Sequence, residues 1–143
     1  MTSLSTVEQK VREAVGVKLF TVLAWIPERQ ALRRVHSSHP SRYPVGGEKT
    51  VEVDGGWLEG CIKAQRPYLG PDREAVRAIF ADHELIAELG CGAVINVPVV
   101  DNGQTLGVLN ILDAEGSYDE TSVAKVTSLA SLAVPALRAG GAR

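Results

Sequence analysis

The chain has 143 residues, of which 45% are hydrophobic and 22% charged, and a formal net charge of −2. That length suits one domain, since two halves would each be too small to bury a good core, and the composition excludes disordered and fibrous classes. The weak net charge offers no bulk pull toward nucleic acid or an anionic membrane surface, and no apolar run approaches the ~20 residues that span a bilayer.

The N-terminal segment is amphipathic and carries acids, so it reads as a helix rather than a signal or transit peptide. Ser5 and Glu8 have capping-box spacing, Val7, Val11 and Ala14 or Val15 form an apolar stripe, and Gly16 is the stop. Residues 17–26 are apolar at nearly every position, the pattern of a central strand covered on both faces. Pro27–Gln30 reads as a turn and Ala31–Ser37 as the antiparallel return. Arg29, Arg33 and Arg34 make a short basic stretch beside Glu28, read as a solvated strand edge.

Residues 36–56 hold four glycines with Pro40 and Pro44, a long loop of the kind that serves as a functional lid. Trp57–Gln65 follows as a short helix and Pro67–Leu69 as an extended piece. Asp72 is placed to cap a helix with Ala75, Val76, Ile79 and Phe80 on its apolar face. That helix continues, with a break near Asp82-His83, through Leu85, Ile86 and Leu89 to Gly90. Residues 93–100 and 105–112 form a hairpin around Asp101-Asn102-Gly103. Ser117 and Glu120 repeat the capping-box spacing before a last helix, which Pro135 should kink or end early. The order is α+β in logic, with one domain over residues 1–138 and a flexible tail over 139–143.

Val97-Pro98-Val99, then Asp101-Asn102-Gly103, then Leu106-Gly107-Val108-Leu109-Asn110-Ile111 resembles the hairpin signature of GAF domains. Tyr118-Asp119-Glu120 is similar to the start of that fold's closing helix, and Trp57-Leu58-Glu59-Gly60 with Pro67 to the region before its middle strand. The resemblance implies a central antiparallel sheet of five or six strands. Terminal helices would cover one face, and a ligand pocket would lie under loops and short helices on the other. Free methionine-(R)-sulfoxide reductases of this family use pocket cysteines and acids on the hairpin strands. Here those strand positions hold Val94, Asn110 and Leu112, and Cys61 and Cys91 are offset. Nothing resembles a chromophore-attachment cysteine with its adjoining histidine, so no cofactor is expected.

Asn96 and Asn110 are the most informative polar residues, each inside an otherwise apolar strand. A hairpin centred on Gly103 makes them cross-strand partners on one face, whereas a two-residue loop at Asn102-Gly103 puts them on opposite faces. They serve either as polar groups on an apolar pocket wall or simply to satisfy neighbouring backbone. Cys91, between Gly90 and Gly92, is a candidate nucleophile at the pocket rim or a small buried apolar residue. Cys61 is the weaker of the two, and in a reducing cytoplasm both thiols are free. His36 and His39 suit acid/base work better than metal ligation, for which no third ligand is evident. Tyr43 and Arg42 on the loop reach toward a ligand, and Val94 and Trp57 would wall the site.

Two functions follow. One is a cytoplasmic sensor that binds a small organic metabolite and signals in trans through its terminal helices as a homodimer, without nucleic acid or membrane. The other is a small enzyme doing redox or acid/base chemistry at the same pocket with Cys91, His36 or His39.

Overall fold

The computed structural model describes residues 3–50, 57–79 and 83–141; Gly55-Gly56, Phe80 and Asp82 lie outside the described residues. Helix α1 spans Leu4–Val15. Its N-cap is Ser3, whose hydroxyl accepts from the Thr6 amide, and not Ser5 as the spacing suggests. Glu8 is thereby left on the second turn, where it meets Arg12 and His36. Gly16, at φ 77°, ends the helix as expected.

Six strands follow: β1 Leu19–Ile26, β2 Ala31–Ser37, β3 Glu48–Thr50, β4 Tyr68–Gly70, β5 Ala93–Asp101 and β6 Gln104–Asp113. They form one antiparallel sheet in the order β3-β2-β1-β6-β5-β4. The sheet is the one expected of the α+β pattern, with β3 added inside the stretch read as loop. Residues 58–63 form a π-helical segment rather than a regular helix. Helices α2 (Arg73–Ile79) and α3 (His83–Glu88) are separate.

Helix α4 (Glu120–Leu129) is capped by Asp119, which accepts from the Ser122 amide while the Ser122 hydroxyl accepts from the Asp119 amide. The reciprocal cap therefore sits two residues beyond the predicted Ser117. Regular α-helix stops at Leu129, continues as a 3-10 turn over Ala130–Ala133, and resumes in one short turn holding Pro135. Proline has no N–H to give, and its ring crowds the carbonyl four residues back, so an unbroken α-helix cannot pass this point. Leu137–Gly141 forms a final π-helical turn, which takes in residues 139–141 of the expected tail.

Strand side chains alternate between faces. One face of β1, β5 and β6 sends Phe20, Val22, Ile95, Val97, Leu109 and Ile111 against Val7 and Val11 of α1 and Val123 and Val126 of α4. Each such residue, fully buried, stabilises the fold by roughly 1.5–3 kcal/mol. The Tyr118 hydroxyl adds a tie that the pattern did not reveal, donating to the Gly16 carbonyl at 2.8 Å across the two terminal helices.

The β5–β6 hairpin reconciles the two registers considered above. Its turn is the two-residue one, with Asn102 at φ 52° and Gly103 at φ 75°. Between Val99 and Val100 the register then shifts: Val100 faces Thr105, but Val99 faces Gly107. The one-residue bulge cancels the effect of the short turn, and Asn96 faces Asn110 on the same side of the sheet.

Candidate functional site

On the face away from the terminal helices, the registers stack side chains into rows that run across the strands. Leu19, Leu112, Val94 and Gly70 form one row, and Leu23, Val108 and Pro98 another. Between them runs a polar row of Ser37, Thr21, Asn110, Asn96 and Tyr68, one residue from each of five strands. Thr21, Asn96 and Asn110 are the three buried polar side chains among the described residues, and no charged residue is buried as a whole there. A buried amide without a partner costs about 1–3 kcal/mol, so three polar groups side by side call for an account.

A second layer covers this face in two parts. Tyr43, Val76, Ile86 and Cys91 pack on Leu19, Val94 and Leu112, while Trp57, Cys61 and Ile62 pack on Leu23, Leu32 and Val108. Tyr68 touches both groups. The π-helical segment is held in place at its far end, where the Thr105 hydroxyl donates to the Ile62 carbonyl at 2.7 Å and Gln65 Nε2 donates to the Gly103 carbonyl at 2.9 Å. Its near end delivers the Trp57 indole, whose Nε1 donates to Asn96 Oδ1 at 3.0 Å. Asn96 Nδ2 in turn donates to Asn110 Oδ1.

The loop before β3 lies over this face as a strap. Tyr43 is only 5% exposed, and its ring sits 4.7 Å beneath the Arg34 guanidinium. Arg34 Nη1 also donates to the Pro44 carbonyl, and Arg42 reaches Glu88 of α3 at 3.2 Å. The face is thus covered by a segment tied partly through exposed polar contacts, which are individually weak.

Of the residues singled out from sequence, Val94, Cys91 and Tyr43 meet in one cluster and Trp57 and Cys61 in the other, with Asn96 and Asn110 between them. His36 is placed elsewhere. It lies opposite Val22 on the helix face, with Nε2 2.8 Å from Glu8 Oε1 and its ring edge-on to Phe20. An acid/base role beside the strand asparagines is therefore corrected for His36. His39 holds the Ser38 hydroxyl through Nδ1 at 3.0 Å and remains partly exposed.

The cysteines are also not as the flanking glycines suggest. Cys91 is buried, and burial with the Asp113 charge pushes its thiol up to about 11, against a smaller opposing pull from Lys18. Burial pushes Cys61 up to about 12. Gly90 is explained by its φ of 82° at the end of α3, and Gly92 by close packing, since a Cβ there would lie 2.9 Å from Arg73 Cγ. Neither glycine is needed to admit a ligand. Among the described residues no group of three His, Cys, Asp or Glu could hold a metal ion, and no helix is long and apolar enough to cross a membrane.

A separate cleft of about 640 Å³ opens at the far end of the sheet, lined by Trp25, Gln30, Lys63, Leu106 and Arg138 among others. Sequence reasoning missed it because its walls come from four separate segments that only the fold brings together. The cations around it are already paired: Arg29 with Glu48, Lys63 with Glu59 and Arg138 with Asp101.

Comparison with known proteins agrees with this architecture. A family model described as a GAF domain matches residues 2–138. No curated protein matches the chain. Among solved structures, the GAF domain/HD domain protein from Geobacter sulfurreducens superposes with a TM-score of 0.73 at 12% identity, covering 94% of this chain and 89% of its own. The GAF domain of a two-component sensor histidine kinase from Bacillus halodurans gives 0.72 at 14% identity, covering 95% and 91%. A red/green cyanobacteriochrome in its red light-absorbing state gives 0.70 at 18% identity, covering 94% and 92%. At such identities the likeness is one of fold.

Proposed function

The chain belongs to the GAF domain family of signalling and sensory modules, and from that premise we propose that it is a small-molecule-binding sensor domain. A small organic metabolite binds the sheet face that carries Thr21, Asn96 and Asn110, beneath the Tyr43 strap. The change passes through the strands to the terminal helices and on to a partner in trans, with the helices also forming a homodimer interface. The observation that carries this reading is the polar row itself: three buried polar side chains adjoin one another on an otherwise apolar wall, and hydrogen bonds among the described residues do not use them all. The coupling has a direct route. Val94 and Asn96 face the site while Ile95 and Val97, on the same strand, pack in the helix-face core that includes α1 and α4.

The catalytic alternative has less support from the candidates that the structure places. Both thiols are buried and pushed toward the protonated form, and His36 is engaged by Glu8 on the opposite face. A thermal-shift screen against a metabolite library tests the proposal. A ligand at about 100 times its Kd adds about 2.7 kcal/mol, a rise of roughly 5–10 °C for a domain of this size. Stabilisation without turnover, lost in Asn110→Ala, is the expected result; turnover abolished by Cys91→Ser would overturn it.

A further inference from the structure

The direction of the hydrogen bonds along the polar row carries information about what the face receives. An indole N–H can only donate, so Asn96 must turn its oxygen toward Trp57. Its nitrogen then points along the row and donates to the oxygen of Asn110. With its oxygen engaged, Asn110 presents its NH₂ group to whatever comes next. Among the described residues, Asn110 Nδ2 and the Thr21 hydroxyl beside it in register have no hydrogen-bond partner. Asn110 and Thr21 keep 5% and 4% of their surface accessible, whereas Asn96, enclosed one strand away, keeps none. The row therefore starts at a donor, runs through two amides of fixed orientation, and ends in unused N–H groups at the point where the buried face is still reachable.

The surroundings set the second condition. Among the described residues no charged residue is buried as a whole, and the rows on either side of Asn110 are apolar across β1, β6 and β5; the cation that continues one of them, Arg34 on β2, is engaged by the Tyr43 ring and the Pro44 carbonyl. A ligand carrying its charge against Asn110 would lose hydration without a counter-ion beside it, since Arg34 lies two strands away and is held by Tyr43 and Pro44, and that costs far more than a neutral amide bond returns. We infer that the ligand of this face is a compact molecule, uncharged in the part it buries, that places a hydrogen-bond acceptor such as a carbonyl oxygen or ring nitrogen against Asn110 Nδ2, with Thr21 as the adjoining contact. This rests on the reading of the face as a ligand site and narrows it to a chemical class.

Four probes of one size separate the possibilities: acetophenone, with a neutral acceptor; ethylbenzene, similar in shape without it; benzoate, an anion; and benzylamine, a cation at neutral pH. Each is titrated into the ¹⁵N-labelled full chain, with the Trp57 indole and Asn110 side-chain amide resonances as reporters. Acetophenone should bind about two- to tenfold more tightly than ethylbenzene, the value of one neutral hydrogen bond. Asn110→Leu should bring the two to parity, Thr21→Val should narrow the gap, and neither ion should bind at the same concentrations. The wild-type comparison of acetophenone with ethylbenzene stands even where a variant fails to fold. Binding of benzoate or benzylamine in preference to acetophenone, or equal binding of acetophenone and ethylbenzene to the wild type, overturns the ligand class and leaves the site standing. If no probe moves the Trp57 indole, the ligand site itself falls, and the class with it.

Discussion

Removing the middle of the polar row should cost more than removing its end. In Asn96→Ala two buried partners are orphaned at once, the Trp57 indole N–H and Asn110 Oδ1. In Asn110→Ala the loss is confined to the bond from Asn96 Nδ2, because the other amide group of Asn110 has no described partner to lose. At about 1–3 kcal/mol for each orphaned buried group, Asn96→Ala should destabilise by roughly 2–6 kcal/mol and Asn110→Ala by roughly 1–3. With about 2–4 °C per kcal/mol for a domain near this size, the melting temperatures should fall by about 4–24 °C and 2–12 °C. Urea denaturation at constant m gives the free energies directly. A cycle of Trp57→Phe with Asn96→Ala isolates the indole–amide bond, and its coupling should exceed about 0.5 kcal/mol. Equal costs for the two alanine variants, or an additive cycle, would refute the hydrogen-bond order on which the functional reading depends.

Four further outcomes follow from individual residues. Neither thiol should react with a disulfide reagent at pH 7 until the protein unfolds, since burial holds Cys61 at about 12 and Cys91 at about 11; fast labelling of native protein would refute this. For the same reason the thiols' contribution to stability is complete below the unfolded thiol value and is lost as pH rises toward 11–12, so Cys61→Ala should soften the alkaline decline seen in urea melts above pH 9. Gly107→Ala should destabilise by roughly 1–3 kcal/mol or more, because a Cβ there would collide with the Leu23 carbonyl oxygen of β1; an unchanged urea midpoint would contradict the close approach of β1 and β6. Burial raises the Glu8 carboxyl, but His36 and Arg12 outweigh it and hold it below the usual range. Glu8 should therefore stabilise the fold above its unfolded value of 4.5 and lose that effect as pH falls, a limb that Glu8→Gln flattens in acid titration.

The strands and the hairpin were legible because their signals are periodic and local: an unbroken apolar run for β1, and an Asn-Gly turn between two apolar segments for β5 and β6. The caps were less so. Ser5 and Ser117 have the glutamate three residues on that the spacing rule asks for, whereas the observed caps Ser3 and Asp119 have Thr6 and Ser122 there, so only the backbone path decides which side chain reaches an open N–H. The side to which Asn96 points was readable only once the bulge at Val99/Val100 was known, since turn length alone argues for the wrong face. His36 misled for a related reason. A histidine in a polar loop sequence suggests chemistry, but its strand register sends it to Glu8 and the helix layer. The long-range contact of Trp57 with Asn96 joins residues thirty-nine positions apart and leaves no sequence pattern at all.

The two tryptophans make the most direct test of the central claim. Trp57 lies on the polar face, bonded to Asn96, and Trp25 lines the separate cleft at the sheet's end. Their indole N–H groups give two resonances in a ¹H–¹⁵N spectrum, assigned by Trp25→Phe. When a stabilising metabolite from the thermal screen is titrated in, the Trp57 indole should shift with the Asn110 side-chain amide while Trp25 stays in place. A shift confined to Trp25 would put the ligand in the other cleft and contradict the account.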